Sequence, residues 1–245
     1  MEAIDDPGRL DEIEATIQRK PALRRFYENT YERFSACVQR SAPGGRVVEL
    51  GSGGGFLKEV LPDVVTTDVI PYASVDRVID ATAMEFDDES VSTLLMLNVF
   101  HHISDAAAFL REAERVLLPG GRLLVADQYP GLFSRWVFEY VHHEAFDMEA
   151  ESWSFPSEGP LSSANGALPW IVFVRDRERM ERDYPALRID RFEPHTPLWY
   201  WLAGGLKSWS ALPAPLFRPV ARLERGLLGL SPRMASFVDV ELVKG

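Results

Sequence analysis

The chain has 245 residues, 46% hydrophobic and 26% charged, a globular composition that excludes a disordered or fibrous protein and is long enough for one well-buried domain. A formal net charge of −11, with no run of Lys and Arg, excludes a nucleic-acid backbone binder, which must neutralise many phosphates at once. The lone Cys37 excludes an intrachain disulfide and a cysteine zinc site, and a reducing, cytoplasmic setting is expected.

The acidic N-terminus lacks the basic and apolar regions of a secretory signal, so no export is expected. Residues 11–40 read as helical in two pieces parted at Pro21, with Ile13, Ile17, Leu23, Phe26, Tyr27, Phe34 and Val38 at approximately helical spacing. Ser41-Ala42-Pro43-Gly44-Gly45 is a turn signal that ends them. From Arg46 strands alternate with helices: a strand at 46–50, a helix through 56–61, then strands at 64–68, 75–80 and 92–99. A helix over 105–118 follows, capped by Ser104 or Asp105 and stopped by Pro119-Gly120-Gly121, and 122–127 is the next strand. Residues 128–169 are rich in aromatics, Pro, Ser and Gly and read as an insertion or lid. A helix near 175–183 and a strand near 187–192 resume the alternation. A second irregular, aromatic segment spans 194–232, too interrupted by Lys207, prolines and Gly204-Gly205 to cross a bilayer, and 235–244 closes the chain as a strand. Nearly wholly apolar strands alternating with helices predict an α/β class with a doubly wound, mostly parallel sheet covered on both faces.

The strand at 46–50 runs into Glu49-Leu50-Gly51-Ser52-Gly53-Gly54-Gly55. Glycine there lets backbone approach a nucleotide-like ligand closely. Counting from Gly51, the third glycine of a dinucleotide fingerprint would fall at Phe56, which disfavours a nicotinamide oxidoreductase; no Gly-Lys-Ser/Thr follows, which excludes a Walker-type phosphate loop. The motif resembles the E/D-x-G-x-G-x-G signature of the class I S-adenosylmethionine-dependent methyltransferases. Residues 94–105 and 109–127 are similar to the stretch through strands four and five of its small-molecule, type 11 branch, which includes ubiquinone and menaquinone methyltransferases. The pattern departs at Ser92, where the family commonly carries an acid.

The resemblance implies a Rossmann-like, seven-stranded fold with the last strand antiparallel, an N-terminal helical cover (1–45), a cofactor-binding core (46–128), an insertion and helix (129–186) and two last strands with an aromatic insertion (187–245). It also implies S-adenosyl-L-methionine as methyl donor and S-adenosyl-L-homocysteine as product. Gly51, Ser52, Gly53 and Gly55 would lie against the cofactor, with Glu49 near its ammonium end. Asp68, ending the second strand with Val69 beside it, would accept from the two ribose hydroxyls. Asp80 with Ala81 would reach the adenine, and Asn98 would line the site after strand four.

His101 and His102 follow strand four on the ligand-binding rim, where either could take a proton from a hydroxyl or support the loop by packing. Tyr27 and Tyr31, four apart on one helix face, could cover the site or simply pack. Trp199, Tyr200 and Trp201 stand in an almost uncharged stretch that suits an acceptor pocket, a patch on a membrane surface, a hydrophobic cap or a dimer contact. His142, His143 and Glu144 are not read as a metal site, because adjacent side chains diverge and no third ligand is evident. The expected reaction is methyl transfer to an O, N or C atom of a small molecule, with the aromatic insertions leaning toward an apolar or lipid-linked acceptor such as a saccharide or quinone precursor. The rival reading is a non-catalytic module that binds the same cofactor. Transmembrane segments and nucleic-acid partners are not expected; peripheral membrane contact and oligomeric state stay open.

Overall fold

The computed structural model of the chain describes residues 9–141, 144–156, 159 and 163–245. Seven strands form one sheet in the order β3-β2-β1-β4-β5-β7-β6: β1 (Arg46–Leu50), β2 (Val65–Asp68), β3 (Arg77–Val78), β4 (Val91–Leu97), β5 (Leu117–Gln128), β6 (Leu187–His195) and β7 (Phe237–Lys244). The first five run parallel, and β7 is antiparallel to both β5 and β6. Six of the seven residues of β4 are buried, because helices cover both faces of the sheet centre. Strand order reverses between β1 and β4, which opens a crevice beyond their carboxyl ends.

Two helices precede the sheet, α1 (Arg9–Arg19) and α2 (Pro21–Arg40). Pro21 sits at the start of α2, where its missing N–H has no intrahelical partner to lose. Leu23, Phe26, Tyr31, Phe34 and Cys37 are buried, and Arg33 and Arg40 pair with the buried Asp239 and Glu241 of β7. After β4, α3 (Ala106–Val116) buries Phe109, Leu110, Ala113 and Val116, and the Asp105 carboxylate caps it by accepting from the Ala108 N–H at 2.9 Å. Then come α4 (Ser134–Tyr140), α5 (Leu168–Trp170) passing into a π-turn at Ile171–Arg175, α6 (Arg177–Asp183), α7 (Trp199–Ala203) and α8 (Phe217–Leu230).

Three expectations are corrected. The helix expected through 56–61 is only a 3-10 turn, Leu57–Glu59; Pro62 forces the residue before it out of the helical region, leaving too few residues for stable turns. The strand expected at 75–80 pairs only at Arg77–Val78, on an exposed sheet edge. Residues 194–232, read as irregular, contain the 14-residue α8, whose pattern is obscured by Pro219 in its first turn and by Gly226 and Gly229. Ser92, at the point of departure from the family pattern, donates its hydroxyl to the Gly45 and Arg46 carbonyls. Among the described residues no helix is long and apolar enough to cross a membrane.

Candidate functional site

A cavity of about 1290 Å³ occupies the crevice, larger than the roughly 300–1,000 Å³ that usually serves one small ligand. Its floor is the glycine loop. Gly51 and Gly53 have φ of 67° and 46°, in the region that costs other residues strain. A Cβ on Gly51 would meet Val99 at 2.4 Å, whereas one on Gly53 would meet nothing within 4 Å. The loop is tied down from below: Ser52 N–H donates to the Thr67 carbonyl, and Ser52 Oγ accepts from the Thr67 N–H at 3.2 Å.

Three carbonyl or carboxyl groups face this floor. Asp68 accepts from the N–H groups of Gly53 and Ile70, both at 3.0 Å, which fixes its orientation and leaves lone pairs for further donors. Burial nevertheless raises its pKa. Glu49 is 3% exposed, and its Oε2 has no hydrogen-bond partner. Burial, with the Asp68 charge adding to it and Ser52 opposing it, pushes the Glu49 pKa up to about 8. Asn98, held at φ 54°, likewise keeps Oδ1 buried and unpartnered. Buried acceptors without donors are costly, so these two atoms are physically suited to the N–H and O–H groups of a polar ligand. An α-ammonium at Glu49 would supply one such donor, and Asp68 keeps lone pairs for a ribose diol, so the residues present fit S-adenosylmethionine.

Tyr27, Tyr31, Val69, Asp80 and Ala81 also line the cavity, together with Gly55. Tyr31 lies over the loop, with Phe56 N–H donating to its hydroxyl at 3.2 Å, and its ring meets Tyr27 edge-on at 6.0 Å. Asp80 is exposed and accepts from the N–H and hydroxyl of Thr82. Tyr200 reaches the cavity, packed against Phe26 and Phe237, and burial pushes its phenol up to about 12. Trp199 does not reach it: its indole donates to the Ala22 carbonyl at 2.8 Å and its ring packs on Phe217, because α7 turns this side chain toward α2 and α8.

The far wall carries the histidines. His101 sits in a 3-10 turn after β4 and is 2% exposed. Its Nδ1 donates to Asp127 Oδ1 at 2.6 Å, and its Nε2 lies 3.4 Å from Glu144 Oε2 and 3.4 Å from Gln128 Nε2. Burial disfavours the imidazolium, but the Asp127 and Glu144 carboxylates outweigh it and push the pKa up to about 10. His102 donates through Nδ1 to the Ser163 carbonyl at 3.2 Å, and burial together with its neighbour's charge pushes its pKa down to about 4.

Asp127 and Gln128 are residues sequence reasoning missed here, and Glu144 entered it only beside His142 and His143, as a metal candidate set aside. Asp127 ends β5 beside β4 and carries the same strand-end signal that singles out Asp68. Glu144 comes from the insertion, and no local pattern marks it. Of the set weighed for metal, His142 and His143 lie outside the described residues. Among the described residues His101, His102 and Glu144 instead gather, with ligand atoms within 4.8 Å of one another. Tetrahedral bonds of about 2.0–2.1 Å need only roughly 3.3 Å between ligand atoms. The trio would therefore have to close in on an ion, and His101 is already held at both ring nitrogens.

Comparison with known proteins finds methyltransferases. Residues 48–125 match the family described as "Methyltransferase domain". A ubiquinone biosynthesis O-methyltransferase of Xanthomonas oryzae pv. oryzae is 26% identical over 69% of this chain and 97% of its own length. The Xanthomonas campestris pv. campestris protein of that name is 25% identical over 60% of this chain and 77% of its own. Among solved structures, a methyltransferase bound to the Trm112 activator of Haloferax volcanii superposes with a TM-score of 0.53 at 20% identity, covering 96% of both chains. Geranyl diphosphate C-methyltransferase of Streptomyces coelicolor A3(2) superposes with 0.51 at 14% identity, covering 91% of this chain and 82% of that one. At these identities the structures speak for the fold.

Proposed function

We propose that this chain is a class I S-adenosylmethionine-dependent methyltransferase that methylates an acidic hydroxyl, of the phenol or enol class, on an apolar small molecule. The observation that carries this reading is His101, clamped between two carboxylates on the wall of a cavity large enough for two ligands. Bound there, the cofactor supplies an activated methyl on sulfur with a neutral leaving group.

The protein's own contribution is to hold, orient and dry the reactants. Glu49 takes the ammonium, Asp68 the ribose hydroxyls, and Asp80 with Ala81 the adenine end, while Gly51, Ser52, Gly53, Gly55, Val69 and Asn98 shape the bed. Tyr27, Tyr31 and Tyr200 close over it, and Phe133, Phe138 and Trp201 offer the acceptor an apolar wall. Holding the acceptor oxygen in line and excluding water carries most of the acceleration. In the fraction of molecules whose His101 has lost its proton, Nε2 takes the hydroxyl proton, and Asp127 and Glu144 stabilise the imidazolium that forms. His102 positions the turn. A base with a pKa of about 10 matches a phenol, whose own value is about 10. The relatives' name specifies oxygen as the methylated atom, which supports the same choice.

The test uses methyl-labelled S-adenosylmethionine with panels of apolar phenols, aliphatic alcohols and amines. Label is expected in phenols, with kcat/KM rising about tenfold per pH unit until about pH 10 and falling at least about a hundredfold in His101→Gln. Transfer to amines alone, or a rate indifferent to His101→Gln, would refute the assignment. Binding of the cofactor with no transfer to any acceptor would favour the non-catalytic module.

A further inference from the structure

Ten of the fourteen large apolar side chains exposed among the described residues fall in two segments. The first runs from Leu132 through α4 to Val141 and includes Trp136 and Tyr140, 55% and 72% exposed. The second runs from Leu206 to the end of α8 at Leu230. Exposed Phe133 and Val141 from the first, and exposed Leu206 and Trp209 from the second, all line the cavity, so the two segments meet around its mouth. They are also joined where the second ends: the Leu132 N–H donates to the Arg233 carbonyl at 2.7 Å.

The α8 helix is amphipathic in an uncommon way for a surface helix, since none of its residues is buried. Phe217, Val220 and Ala221 lean on the cluster around Trp199. Leu216, Leu223 and Leu230 recur every seven residues along one outward edge, with Leu230 82% exposed. Arg218, Arg222 and Arg225 are exposed along the other edge, and among the described residues they form no ion pair. Residues 204–235 carry five basic side chains and one acidic one, in a chain whose net charge is −11. The basic and apolar surfaces therefore coincide, against the charge of the whole.

We infer that this face docks on an anionic lipid bilayer, with the cavity mouth turned toward the lipid. Leucines on a helix lying in the interface bury in the acyl boundary, Trp and Tyr favour the headgroup level, and arginines draw the surface to lipid phosphates. Docking in this orientation would pass an apolar acceptor from the bilayer into the cavity without crossing water. That consequence rests on the acceptor reading above, whereas the docking itself does not.

The experiment is co-sedimentation of the full chain with vesicles of phosphatidylcholine alone and of phosphatidylcholine mixed with phosphatidylglycerol, with the fluorescence of Trp136 and Trp209 as a second readout. The expected result is binding to the mixed vesicles only, weakened by salt, with a blue-shifted tryptophan emission. Arg222→Ala with Arg225→Ala should weaken it roughly thirtyfold, and Leu223→Asp with Leu230→Asp should abolish it. The thermal shift given by S-adenosylhomocysteine should be unchanged in both variants, which shows that the fold and cofactor site survive and keeps this test separate from that of the acceptor. Equal binding to neutral vesicles, binding indifferent to either pair of substitutions, or no vesicle binding with a concentration-dependent dimer dispersed by Leu223→Asp would each overturn the inference.

Discussion

Glu49 stores a free-energy penalty that ligand binding should release. In water its carboxyl would titrate at its ordinary value of 4.5, and moving that value to about 8 in the fold corresponds to about 5 kcal/mol against the charged form. Because the folded-state value lies above the unfolded one, the folded protein holds a proton there that the unfolded chain has lost. Stability therefore falls as pH rises from about 4.5, and the loss is complete above about pH 8. Glu49→Gln removes the titration while keeping the volume. Urea unfolding of both proteins without ligand, from about pH 5 to about pH 9, should show the variant gaining about 3 to 5 kcal/mol on the parent across the range. If Glu49 receives an ammonium, binding must ionise it. Calorimetry with S-adenosylhomocysteine near pH 7, in buffers of different ionisation enthalpy, should then report release of about one proton from the parent and none from the variant. A stability difference flat with pH, or equal proton release from both, would refute the reasoning.

Asp68→Asn should suppress the thermal stabilisation by S-adenosylhomocysteine, which at about 100 times its dissociation constant should add roughly 2.7 kcal/mol, or about 5–10 °C, to the parent; an unchanged shift in the variant would remove Asp68 from the ribose. Lys20 donates to the Gly205 and Lys207 carbonyls at 2.6 and 3.0 Å, tying the junction of α1 and α2 to the cavity rim. Lys20→Met should cost about 2–3 kcal/mol in urea unfolding and speed proteolytic cleavage near Leu206. Trp199→Ala, which empties a core position, should destabilise by about 3–5 kcal/mol while leaving the dissociation constant for S-adenosylhomocysteine unchanged.

Features decided by near neighbours in the chain are legible in the sequence. Apolar runs at 46–50 and 92–99 had to be central strands because nothing else buries such residues on both faces. The glycine turn at 51–55 and the acid ending β2 followed from the spacing of a strand, a glycine turn and a strand end. Of the two candidate caps, Ser104 and Asp105, it is Asp105 that holds the start of α3. Where the local signal was weak, the reading failed: Pro62 cut short a helix whose apolar residues looked sufficient, and proline and glycine hid α8. Trp199 and Tyr200 are adjacent and alike in composition, yet only Tyr200 meets the cavity; the direction of each depends on how α7 seats against α2 and β7. The same holds for Glu144, which no motif announces and which reaches His101 only because the insertion folds back over the sheet. The sequence by itself determined the layered sheet and the glycine loop with its strand-end acids, since both rest on periodicity and on strand ends that parallel pairing brings together. Only the tertiary structure decided which carboxylates flank His101, which aromatics line the cavity and which leucines stay in solvent, because those contacts join residues far apart in the chain, whose meeting depends on the packing of the whole.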